Sequence, residues 1–150
     1  MADTTRKQVY DAAVSALTAS TGIMYVTRRL DAWWDWPVNR YPGVCAIDGS
    51  EEKNRFSFIV GSTTTSPADM EARMELIVHG YCFDPNNSLD TKRSELIKDI
   101  EKALTSSTAL DDLTLDVTPV SVETDEGVIE NYSLVKCGYQ IRYLYNHAYP

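Results

Sequence analysis

Apolar residues recur at Val9, Ala13, Ala16 and Leu17, spacings of four, three and one that draw one stripe along a helix. A helix is therefore predicted from Thr5 to Ser20, with Thr4 or Thr5 as its N-cap and Gly22 as its stop. Ile23 to Arg29 then reads as a strand, Ile23, Tyr25 and Thr27 on one face and Met24, Val26 and Arg28 on the other. From Leu30 to Pro42 the periodicity vanishes, and the stretch holds Trp33, Trp34 and Trp36 among Asp31, Asp35, Pro37 and Pro42. Short strands are predicted at Gly43 to Asp48 and at Arg55 to Gly61, with a turn at Asp48 to Glu51 between them. Gly61, Ser62, Thr63, Thr64, Thr65 and Ser66, followed by Pro67, have nothing to bury and predict a mobile loop available to a neighbour.

The longest alternation follows. Ala72, Met74, Leu76, Val78 and Cys82 point one way and Glu71, Arg73, Glu75, His79 and Tyr81 the other, which predicts a half-buried strand over Asp69 to Phe83. Leu89 to Leu104 returns to helical spacing, with Leu89, Leu96, Ile97, Ile100, Ala103 and Leu104 on one face. Leu113, Leu115 and Val117 alternate, but Val120 and Val122 are out of phase by one, so a bulge is expected at Thr118-Pro119. After a turn at Asp125-Glu126-Gly127, the odd positions from Val135 to Tyr145 form an apolar and aromatic strand face. The order α-β-β-β-β-α-β-β predicts an α+β fold: a mainly antiparallel or mixed sheet with two principal helices packed on one face. The 150 residues suit one domain over 1–150, without internal repeats or a long linker.

Charge narrows the function classes. Fourteen Lys and Arg against 22 Asp and Glu give −8, which disfavours tight binding to a phosphate backbone. Cys45, Cys82 and Cys137 are widely spaced and odd in number, so they predict buried thiols of a reducing compartment rather than a metal site or disulfide framework. The N-terminus lacks the pattern of a secretory signal, and no run approaches the roughly 18 apolar residues of a membrane span. A cytoplasmic origin and no membrane partner are expected.

No constellation spells out a reaction. His79 and His147 have no Cys or carboxylate at ligand spacing, and Glu51-Glu52, Asp111-Asp112 and Asp125-Glu126 fall in predicted turns, where acids are ordinarily solvated. The chain lacks a phosphate loop and a nucleophile elbow, and no cofactor is expected. A small-ligand cup would need convergent polar groups such as His79, Tyr81 and Arg142 on one wall. The tryptophan loop has two readings that are compatible: it folds back so that Trp34 and Trp36 cap the core, or at least one ring anchors another subunit. Tyr139, Tyr143 and Tyr145 likewise form either an internal sheet face or a surface for a partner.

The segment Val26-Thr27-Arg28-Arg29-Leu30, Trp34-Asp35 with Pro37, and Tyr41-Pro42 before a short strand resembles the opening of phage tail-terminator proteins, the minor tail protein U-like or tail-completion family. The resemblance continues through the strand Glu71 to Phe83, the helix Leu89 to Leu104, the turn Val122 to Gly127 and the strand Leu134 to Tyr145. It implies a non-enzymatic virion protein of the tail and neck, assembled in the host cytoplasm. It also implies a homohexameric ring that caps the tail tube protein, ends polymerisation and meets the head-completion or connector protein. A closed ring needs two different contact patches per subunit, and the tryptophan loop and the tyrosine-rich last strand are the candidates. Glu123, Asp125 and Glu126 are expected to face the bore or the adjoining ring, so that DNA passes without tight binding. Another neck protein, or a small-ligand-binding domain or enzyme, remains the alternative.

Overall fold

The computed structural model describes residues 4–30, 32–55, 59–60, 63–64, 69–86, 88–125 and 130–146. Helix α1, Arg6–Ala19, begins in a capping box: Gln8 N–H donates to Thr5 Oγ1 at 3.2 Å, and Thr5 N–H donates to Gln8 Oε1 at 2.8 Å. Its stripe buries Val9, Ala13, Val14 and Leu17. Strand β1 is Tyr25–Thr27, and two single 3₁₀ turns, Trp33–Asp35 and Val38–Arg40, carry the chain to strand β2, Gly43–Arg55. Short strands β3, Ile59–Val60, and β4, Thr63–Thr64, pair only with each other. Then come β5, Asp69–Phe83; α2, Leu89–Thr105; α3, Thr108–Leu113; β6, Asp116–Thr124; and β7, Tyr132–Asn146.

The main sheet has the order β1-β2-β5-β7-β6. Only β1 and β2 are parallel; the other neighbours are antiparallel. The fold is thus α+β with a mixed sheet. Even positions of β5 and odd positions of β7 face Leu96, Ile100 and Leu104 of α2 and the apolar stripe of α1, and together these residues form the main core. Gly80 permits that approach, because a Cβ there would lie 2.7 Å from both Leu96 Cδ2 and Val135 Cγ2. Asp84 steadies the start of α2 by accepting the amide N–H groups of Asn86 at 2.8 Å and Ser88 at 3.1 Å.

Three elements differ from the sequence pattern. Asp48 to Glu51 is not a turn: β2 continues through it along β5, and Gly49 and Ser50 together oppose Glu75 as a bulge. The cause is the long partner strand, whose backbone groups need pairing over the whole length; Ser50 also donates its hydroxyl to Glu75 at 3.1 Å. The second bulge lies one residue later than expected, between Pro119 and Ser121. Val120 is the extra residue, which puts Val122 on the same side as Val117. Helix α3, capped by the Ser107 hydroxyl at Leu110 N–H, is an element that the periodicity does not mark.

Candidate assembly surface

The tryptophan loop folds over the sheet face that the helices leave free. Trp36 is 7% exposed and presses on Gly43, where a Cβ would lie 2.6 Å from its Cζ3 atom. Its ring meets Tyr25 edge-on at 4.9 Å between centroids and Tyr81 at 5.4 Å. Trp33 lies flat against Tyr81, and its edge meets Tyr132 at 5.3 Å. The Tyr41 hydroxyl donates to the Trp33 carbonyl, fixing the turn, and burial pushes the phenols of Tyr41 and Tyr81 up to about 12. Cys45 completes this second, smaller core. Trp33 and Trp36 are therefore largely covered by the chain itself, whereas Trp34 is 58% exposed.

The tyrosines of the last strand point elsewhere than a partner-facing surface. Tyr139, Tyr143 and Tyr145 are buried on the helix side of β7, because odd positions of that strand form the floor of the main core. Tyr143 donates its hydroxyl to Glu51 at 2.5 Å. Their place as contact candidates passes to residues whose exposure the alternation concealed. Among the described residues, the exposed large hydrophobics fall in two stretches of the chain: Met24, Leu30, Trp34 and Val38, and then Leu115, Val120 and Val122. The first group flanks or follows edge strand β1; the second begins just before and continues along edge strand β6.

Of the acids expected to project outward, Glu123 is exposed on β6 opposite Lys136. Asp125 is not: its carboxylate, 14% exposed, is turned to the Arg93 guanidinium at 3.9 Å and the Ser133 hydroxyl at 3.5 Å. Arg93 reaches across from α2 and draws it in. Glu126, Gly61, Ser62, Thr65, Ser66 and His147 lie outside the described residues, while Thr63 and Thr64 form β4, paired with Val60 and Ile59.

A polar wall does not assemble. His79 stands opposite Lys136, whereas Arg142 stands opposite Arg73, six positions along β5 and so about 20 Å away. Arg142 is engaged as a fork: its Nε donates to Asp116 at 2.8 Å and its Nη1 to Glu71 at 2.8 Å, tying β6 to the two central strands. Tyr81 lies under Trp33. His79 borders a hollow of about 220 Å³ with Trp33, Glu123 and Lys136; burial, then the Lys136 charge, lowers its pKa. Among the described residues no group of three or more His, Cys, Asp or Glu side chains could hold a metal, and no helix is long and apolar enough to cross a membrane.

The architecture is similar to a chain in the solved virion of a native gene transfer agent particle. The likeness covers 94% of this chain and 95% of that one, with a TM-score of 0.50 and 11% sequence identity. At that identity it speaks for the fold. No family model and no curated protein matches the chain.

Proposed function

We propose that the chain is a structural virion protein, without catalytic activity, that terminates the tail tube of a phage-like particle. One observation supports this reading above others: the fold parallels, over nearly its whole length, that of a chain from a gene transfer agent virion. The sequence resemblance to tail terminators points the same way. The chain, acting as one domain, forms a hexameric ring on the finished tube, blocks further addition of tube protein and presents its other face to the head-completion or connector protein. Six copies carry a formal charge of about −48, so a bore lined by them repels phosphate and DNA slides through without being held.

The test is tube growth in vitro. Purified chain added to polymerising tube protein from the same particle should bind one tube end and arrest elongation at substoichiometric ratios. Tubes that lengthen at the same rate, with no end-bound ring in electron micrographs, would refute the terminator role.

A further inference from the structure

We infer that one copy of the chain seats its β1 edge on the β6 edge of the next, so that the two ends of the sheet are the two halves of a head-to-tail contact. This rests on the proposed ring only for the closure of the assembly.

Except for Trp34, whose ring meets Trp33 above the central strand β5, the exposed large hydrophobics among the described residues lie in the segments that carry the two edge strands of the sheet. Met24 precedes β1 and Leu30 and Val38, 70% exposed, follow it, whereas Val120, 63% exposed, and Val122, 51% exposed, lie on β6 with Leu115 just before it. A monomer gains nothing by holding such side chains in water at two separated places, and burying each set against the other removes both from solvent. Two unlike patches on opposite ends are what a closing heterologous contact requires, whereas a two-fold dimer needs a single self-complementary patch.

Charge pairs the patches in the same sense. Between Lys102 and Lys136 the sequence has seven acids and no Lys, Arg or His. This segment contains α3 and β6, and Asp111, Asp112 and Glu123 are exposed there. The segment around β1, Met24 to Tyr41, carries Arg28, Arg29 and Arg40 against Asp31 and Asp35, a net +1. Arg28 is held by Asp11 at 2.6 Å and Arg40 lies over the Tyr25 ring at 4.4 Å, but Arg29 is exposed and has no ionic partner among the described residues. Like ends repel and unlike ends attract, which selects head-to-tail over head-to-head association.

The backbone of β6 is also prepared for a neighbour. Asp125 N–H donates to the Leu134 carbonyl at 3.2 Å, and Thr124 stands opposite Val135. That makes Thr124 and Val135 a non-hydrogen-bonded pair. By alternation, the N–H and C=O groups of Thr124 and Val122 then point away from β7, towards the open edge. Strand β6 is terminal in the sheet, and an edge of this length invites a partner.

The test uses two half-blocked variants, Leu30→Asp and Val122→Asp, each at an exposed site where the parent melting temperature should persist. Sedimentation should find the parent multimeric and each variant alone monomeric, with the dissociation constant raised at least about tenfold. An equimolar mixture should give one-to-one dimers and nothing larger, because each variant retains the half that the other lacks. A second pair, Arg29→Glu and Glu123→Arg, should weaken assembly singly and restore it when combined in one chain. Variants that assemble like the parent, a mixture that stays monomeric, or a parent monomeric at every accessible concentration would overturn the inference. If tube growth is still arrested in any of these cases, the terminator reading stands and only the contact is wrong.

Discussion

The indole of Trp33 lies parallel to the ring of Tyr81, with 5.2 Å between centroids and 10° between planes. This stack joins a loop without periodicity to the central strand β5, and Trp36 wedges against the same tyrosine at 89°. Tyr81 alternates onto the face opposite Ala72, Met74 and Leu76, which the helices cover. The loop thereby supplies the apolar cover that this end of the second face would otherwise lack.

The three tryptophans should accordingly behave differently. Trp36→Ala removes a buried ring from a close-packed site and should cost about 3–5 kcal/mol in denaturant unfolding. Trp34→Ala, at an exposed position, should change the stability of the isolated subunit by less than about 0.5 kcal/mol. Equal losses would mean that the loop is not seated as described.

Arg142 of β7 joins Asp116 of β6 to Glu71 of β5. Arg142→Ala should destabilise the chain by about 1 kcal/mol, since the fork is partly exposed and screened. Amide exchange should quicken in β6 more than in β5. Unchanged protection of β6 would show that its backbone pairing with β7 suffices.

The buried thiols should be inert in the native state. Burial pushes Cys82 up to about 12 and Cys137 up to about 11, so neither supplies appreciable thiolate at pH 8. Both raised values mean that the native state keeps protons the unfolded chain releases, so their contribution to stability is intact below about pH 9 and declines as pH rises above it. Labelling by a thiol reagent at pH 8 should follow the unfolding rate; rapid modification of native protein would contradict this burial.

His79 gives the opposite slope. Its depressed pKa means that the unfolded chain takes up its proton first as pH falls below the ordinary value of 6.5, so stability declines on acidification through that range. The His79 ring resonance should titrate below 6.5 in the folded protein, and His79→Gln should flatten that part of the stability profile. A midpoint at 6.5 would abolish this slope, and one above it would reverse the sign.

Much of the fold was legible because its longest elements have clean periods. Val9 to Leu17, the alternation through β5 and the stripe of α2 each point to one dry face, and the slip between Val117 and Val122 announced a bulge. What the sequence concealed depends on neighbours distant along the chain. Gly49 and Ser50 look like a turn until β5 is seen to demand pairing past them. Tyr139, Tyr143 and Tyr145 read equally as surface or core, because alternation marks a dry face without saying what dries it. The phase slip at Val120 and Val122 announces a bulge but not their exposure, which follows because β6 is the last strand of the sheet and nothing described covers them. The mixed sheet matches the expectation, but which pair runs parallel was hidden, since β1 meets β2 only across the tryptophan loop.

The central claim, that the chain caps a tail tube as a ring, is tested most directly by cryo-electron microscopy of the intact particle. The account predicts that six copies of this fold form one ring at the head-proximal end of the tube, with β1 of each subunit beside β6 of the next. Density for the fold in the capsid shell or along the tube wall, or its absence from the purified particle, would contradict it.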